Sequence, residues 1–240
     1  MTSRGVRSVI VLAVLAVLFV SATPLPAADT LFREDFASLD RWKPLYFPKI
    51  KKHTSYTIET SAGESYLRAE SDASASGLVY QGTYNVFDYP KARWRWKVNN
   101  VYAKADPATK EGDDYPIRVY IIFAYDPDKA GFLDKVKYEL GKSIYGEYPP
   151  DSTLNYVWSS RDGGDRVITS PYTDRAKLIM IERGAKRAGQ WVTEEVNVLE
   201  DYRKAFGEDP PAKASIAIMS DSDNTREKAV SFVDYIEVYR

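Results

Sequence analysis

Asp113 and Asp114 stand directly before a run carrying Arg118, and Asp221, Asp223 and Asn224 follow an apolar run at 213–220. Aspartates at alternate positions place two oxygen donors on one side of an extended loop. That suits a hard cation such as calcium, and it suits hydrogen bonding to sugar hydroxyls. The same residue types also cap turns, and Asp114 with Arg118 reads equally well as a structural ion pair. Asn155 and Trp158 share a further strand-like run at 153–159 and join these residues as a candidate ligand-binding set. An indole on an alternating strand has a competing role as core, where its large apolar area stabilises the fold.

Other chemistries are closed by residue type. The chain has no cysteine and one histidine, His53, in the Lys-rich stretch 49–53. A thiol nucleophile is impossible, and a zinc site built from several histidines has no ligands. No Gly-x-Ser-x-Gly turn exists to hold a serine nucleophile, and no glycine loop follows a strand to cradle phosphate, so neither triad nor nucleotide chemistry is expected. Carboxylates remain. A glycosidase needs two of them about 5–10 Å apart, and Asp114 with Asp221 or Asp223 is the pairing the sequence offers. The Glu-x-Asp-x-x-Glu strand of many jelly-roll glucanases is absent.

The elements that must position these groups are mostly strands. Residues 92–99 alternate strictly, with Trp94, Trp96 and Val98 on one face and Arg93, Arg95 and Lys97 on the other. Residues 117–125 put Ile117, Val119, Ile121, Phe123 and Tyr125 on one face, and Arg118, Tyr120 and Ile122 opposite. Further strands are expected at 31–36, 55–60, 65–71, 76–81, 153–159, 165–169, 176–182, 190–198, 213–220 and 230–239, separated by Gly, Asp and Pro turns. Helical spacing of apolar residues appears at 132–145 and, more briefly, at 199–206 before Gly207. Many closely spaced strands with few helices predict an all-β fold with minor helix, an antiparallel β-sandwich or barrel. In such a sandwich Glu34 and Asp35 on the first strand could meet Asp234 on the last. By analogy with lectin-like jelly rolls, that place could hold a structural calcium ion.

The N-terminus reads as a secretory signal. Arg4 and Arg7 precede an unbroken apolar run from Val9 to Val20, followed by small residues up to Ala28. The run is short for a membrane span, which needs about 20 apolar residues. Residues 1–28 are therefore expected to be a cleaved signal peptide and 29–240 one β-sandwich domain, periplasmic or secreted, without a stable membrane span once the signal is removed. The lack of cysteine rules out a lipid anchor attached at a cysteine after the signal. The formal net charge of −1 gives no basic field of the kind nucleic acid requires.

Several stretches resemble the bacterial domain-of-unknown-function family 3047. They are 112–123, 154–158, 201–207 and 218–225, with the Trp94-Arg-Trp96 strand and the Gly189-Gln-Trp191 turn in the same pattern. The resemblance implies export and narrows the fold to an antiparallel β-sandwich of jelly-roll or concanavalin-like type, similar to carbohydrate-binding modules. It implies no activity and no catalytic residue. Three functions are consistent with all this: binding of a glycan or envelope polysaccharide, which is preferred; carboxylate-dependent glycan cleavage; or a structural role in the envelope with no small ligand.

Overall fold

A computed structural model describes residues 29–126 and 149–240. The expected signal segment and the expected helix at 132–145 lie outside the described residues. Among those described, fourteen strands form two sheets. They are β1 (Thr30–Glu34), β2 (Trp42–Leu45), β3 (Ser55–Ser61), β4 (Glu64–Asp72), β5 (Ala75–Tyr80), β6 (Tyr84–Asn85), β7 (Lys91–Val98), β8 (Arg118–Phe123), β9 (Ser152–Ser159), β10 (Val167–Thr169), β11 (Ala176–Arg183), β12 (Val192–Asn197), β13 (Lys213–Asp221) and β14 (Lys228–Tyr239). The smaller sheet runs β12-β7-β14-β4-β3, with β1 also on β14. The larger runs β10-β11-β9-β8-β13-β5-β2, with β6 also on β13. The all-β sandwich expected from the alternating runs is what forms.

Period-2 alternation explains the core. Trp94, Trp96 and Val98 of β7 are fully buried, and they meet Tyr156 and Trp158 of β9 from the opposite sheet. Ring centroids lie 5.3 Å apart for Trp94–Tyr156 and 5.9 Å for Trp96–Trp158. Aromatic pairs at such separations add attraction to the area they remove from water. Val119, Ile121 and Phe123 of β8 and Ile216 and Ile218 of β13 complete the inner face of the larger sheet. The side chains between them on these strands point out of the sandwich, and that outer face becomes important below.

Two strands escape the sequence reading, and one pairing departs from it. β2 carries Pro44, which has no N–H to donate, and a proline in a short run hides its strand character. It is tolerated because β2 has a single strand neighbour, β5. β6, two residues long, is too short to show a period. β9 and β11 run parallel, whereas the rest of the sheet is antiparallel. The chain leaves β9, forms β10 beyond the place β11 will take, and returns through a turn, so β11 slots in between.

The β3–β4 hairpin turns at Ala62 and Gly63, whose φ angles of 53° and 86° match the primed turn that two-residue hairpins prefer. The helix α1 (Val198–Phe206) starts at Asn197, whose side chain accepts the Glu200 N–H at 3.1 Å. It ends at Gly207 in the left-handed region, φ 75°. Tyr202 of α1 is buried with its ring 4.6 Å from that of Phe123.

Glu182 of β11 and Glu194 of β12 bring one carboxyl from each sheet to the same seam. The Trp96 indole donates to Glu194 Oε1 at 3.3 Å, and Arg187 pairs with Glu182. Burial, reinforced by the Glu182 carboxylate, pushes the Glu194 carboxyl up to about 7. A folded-state value above the unfolded one means the protonated form stabilises the fold. That contribution is complete below the ordinary carboxylate range near 4.5 and is lost as pH rises through about 7. Glu194→Gln keeps an acceptor for Trp96 and removes the charge. It should raise stability at about pH 8 by on the order of 1 kcal/mol, less than the full shift because the carboxyl is partly exposed. Urea melts of parent and variant between about pH 5 and 8 test this. Parallel stability curves would show that the seam does not titrate.

Candidate functional site

Arg118 and Tyr120 of β8, Thr153 and Asn155 of β9, and Met219 and Asp221 of β13 all face away from the core. Strand pairing sets them side by side, with Arg118 opposite Met219 and Tyr120 opposite Asn155. On β11, Leu178 pairs with Asn155 and extends the row. Loops raise walls around this floor: Phe47 to Ile50 after β2, Ser170 and Tyr172 between β10 and β11, and Asp223 and Asn224 after β13. The result is a groove of about 500 Å³.

Arg118 organises its polar end. Arg118 is 5 % exposed; its guanidinium donates through Nη2 to Asp221 Oδ2 and lies 3.8 Å from Asp113 Oδ2. The Tyr115 and Tyr120 rings flank it with centroids at 4.8 and 5.6 Å. Asp221, 1 % exposed, also accepts the Tyr115 N–H at 3.3 Å. Burial, and then repulsion from Asp114, Asp113 and Asp223, holds the Asp221 carboxyl well above the usual range despite Arg118. Burial likewise raises Asp113, opposed by Arg118, and it raises Asp223 with help from Asp114. Burial works against the Arg118 charge, but Asp221 and its other neighbours outweigh it and hold the guanidinium protonated.

Five of the sequence candidates therefore gather with Asn155 on one surface: Asp113, Arg118, Asp221, Asp223 and Asn224 all line the groove. Asp114 does not. It accepts the Thr225 N–H at 2.6 Å and the Asn224 N–H at 3.4 Å, so it anchors the loop after β13 from beneath. The expected Asp114–Arg118 pair is replaced by Arg118 with Asp221 and Asp113. The nearest oxygens of Asp114, Asp221 and Asp223 lie within 4.8 Å of one another, a separation a cation could bridge.

Two other expectations are corrected. Trp158 is fully buried in the core, and its indole donates to the Gly184 carbonyl at 3.0 Å. It lies three positions after Asn155, an odd offset, so the two point to opposite faces of β9. Glu34, Asp35 and Asp234 do not form a ligand group among the described residues. β1 and β14 do pair, but each carboxylate has its own partner. Glu34 accepts from the Phe36 N–H and the Trp42 indole, Asp35 pairs with Arg33, and Asp234 pairs with Arg95.

The sequence reading missed the walls. Tyr172, 55 % exposed, donates to the Lys110 carbonyl at 3.1 Å and accepts from the Asn224 amide at 3.4 Å. Phe47 belongs to a loop whose far end is held by His53, which contacts the Ile50 carbonyl at 3.2 Å and stacks on Tyr46 at 4.2 Å. The available signal was an aromatic residue in each of these two loops, Phe47 and Tyr172, which periodicity does not weigh. Among the described residues no helix is long and apolar enough to cross a membrane.

A family model described as a protein of unknown function (DUF3047) matches residues 40–237. No curated protein matches the chain. Among solved structures, a family 11 carbohydrate-binding module from Clostridium thermocellum, in complex with a β-1,3-1,4-mixed-linked tetrasaccharide, is 11 % identical with a TM-score of 0.40. The match covers 86 % of this chain and 92 % of that one. A family 30 carbohydrate-binding module of a cellulosomal cellulase from the same organism is 10 % identical at 0.37, covering 82 % and 92 %. A thermostable cellulase derived from that of Rhodothermus marinus is 13 % identical at 0.41, covering 78 % and 87 %. Likenesses at this level carry no argument about ligand or activity.

Proposed function

The chain belongs to the DUF3047 family, and from that premise we propose that it is an exported glycan-binding protein whose ligand lies in the groove on the outer face of the larger sheet. One observation carries the reading. Buried polar atoms on the groove floor, Asn155 Oδ1 and Arg118 Nε, have no hydrogen-bond partner among the described residues, and rings of Tyr120, Tyr172 and Phe47 stand beside them. A buried polar group without a partner costs free energy, so such atoms mark places where a ligand's groups complete the network. Sugars present hydroxyls at their edges and C–H faces between, which matches an amide and a guanidinium set among aromatic rings.

Titration of soluble polysaccharides against parent, Asn155→Ala and Tyr172→Ala tests the proposal. Tyr172→Ala should melt like the parent and Asn155→Ala somewhat lower, because its buried amide donates to Thr153 Oγ1 and the Lys177 carbonyl. Each should bind roughly tenfold more weakly, about the loss of one good hydrogen bond or ring contact. Retention of no polysaccharide by the parent overturns the reading. The same incubations, read for new reducing ends, address cleavage. The absence of Asp114 from the groove lining weighs against the carboxylate pairings that include it. Export predicts that protein recovered outside the cytoplasm begins close to Asp29. A chain still starting at Met1 would show that the leader is retained.

A further inference from the structure

We infer that the acidic end of the groove, at Asp113, Asp221 and Asp223, receives a free ammonium group, so that the preferred glycan contains unacetylated amino sugars. The inference rests on the glycan-binding reading and narrows it to a substrate class. Three aspartates line that end, and Asp114 adds a fourth carboxyl just below it. Against them stands Arg118, which Asp113 and Asp221 share. Asp223 makes no ion pair among the described residues, and the exposed Lys49 in the facing loop pairs with none of the four. The groove is therefore short of positive charge where it is most enclosed. Charge buried without a partner is costly, so a ligand that brings one positive charge there is favoured and one that brings a carboxylate is repelled.

The donor chemistry favours an ammonium over a metal ion. Calcium takes six to eight oxygens. Here Asp221 Oδ2 already holds Arg118, and both Asp114 oxygens accept backbone N–H groups. The fixed guanidinium would face a divalent charge across that contact. An ammonium carries a single charge and three donors, which Asp223 and its carboxyl neighbours can accept. Asn155 is 2 % exposed, and its Oδ1, without a hydrogen-bond partner among the described residues, offers a further acceptor in the same groove for a hydroxyl or amine of an adjoining sugar. Burial first, and then repulsion from the neighbouring aspartates, raises the Asp221 and Asp223 carboxyls, in the direction that disfavours added negative charge here.

Calorimetric titration of the intact protein at low salt, with a glucosamine hexamer, its N-acetylated counterpart, cellohexaose and a hexagalacturonate, tests the inference. The glucosamine hexamer should bind at least tenfold more tightly than the acetylated or neutral hexamers, and the uronate should not bind. That preference should shrink on adding sodium chloride. It should also vanish in Asp223→Asn, a change at a half-buried position that should leave the melting temperature unaltered. Equal affinities for the first three sugars would overturn the ammonium site and leave the groove as a glycan site. Binding of none of them would overturn both. Calcium that binds alone and displaces the glucosamine hexamer would assign the acidic end to a metal instead.

Discussion

Trp96→Ala is expected to lower the unfolding free energy by about 3–5 kcal/mol, because truncating a buried indole loses its transfer energy and leaves a cavity. Trp96 touches both sheets. Its ring lies 5.5 Å from Trp94 on its own strand and 5.9 Å from Trp158 across the core, and its N–H reaches Glu194. No neighbour can collapse into that space without uncoupling the two layers, so little of the loss is recovered. Arg95, one residue earlier, faces outward, pairs with Asp234 at 3.0 Å and lies 5.1 Å over the Trp191 ring. Arg95→Ala should cost less than about 1 kcal/mol, as partly exposed pairs do. Urea unfolding of both variants makes the comparison, and similar losses would contradict the assignment of faces on β7.

The second large effect is at Arg118. Removing the guanidinium leaves Asp221 and Asp113 enclosed without their counter-charge, and breaking a buried pair from one side typically costs about 3–5 kcal/mol. Arg118→Ala should therefore be as damaging as the core truncation, although it removes a residue from the groove floor. Two readings separate the mechanisms. The Arg118→Ala loss should diminish toward acid pH, because the aspartates, already raised in the folded protein, take protons there. The Trp96→Ala loss should stay constant. The double change Arg118→Met with Asp221→Asn, which removes both charges, should be more stable than Arg118→Ala alone. A single variant as stable as the parent would mean that the pair contributes nothing.

The sequence was most informative where one face of a strand is buried and the other is not. On β7 buried and half-buried residues alternate without exception, and on β8 the two faces differ in polarity although Arg118 is itself enclosed, so alternation alone set Trp94, Trp96, Val119 and Ile121 on the core faces and Arg118 opposite. The same logic, applied to β9, would have separated Asn155 from Trp158, and the candidate set erred by grouping them. Alternation did not foresee partners. Arg118 finds Asp221 because β13 pairs with β8 in a register that sets Met219 against Arg118, and nothing local to either strand specifies that pairing. Sequence proximity suggested Asp114 instead, but the loop after β13 comes close enough for its backbone to claim that carboxylate. The parallel β9–β11 pair was equally hidden, since a residue pattern carries no sign of strand direction. The walls of the groove come from loops, where no periodicity exists to be read.

The position of β14 has a consequence for how the chain acquires its structure. This strand lies between β7 on one side and β4 and β1 on the other, so it joins the halves of the smaller sheet. It is also the last of the fourteen strands to be synthesised. Until residues 228–239 have emerged, the β3–β4 hairpin and the β7–β12 pair have no strand between them, and β1 has no strand partner among the described residues. Pairings between segments so distant in sequence form slowly, because the entropy of closing a long loop must be met before they reward it. A growing chain of this kind stays open through nearly all of its synthesis. That openness leaves one edge of β7 and one edge of β4 without a strand neighbour until the final strand arrives.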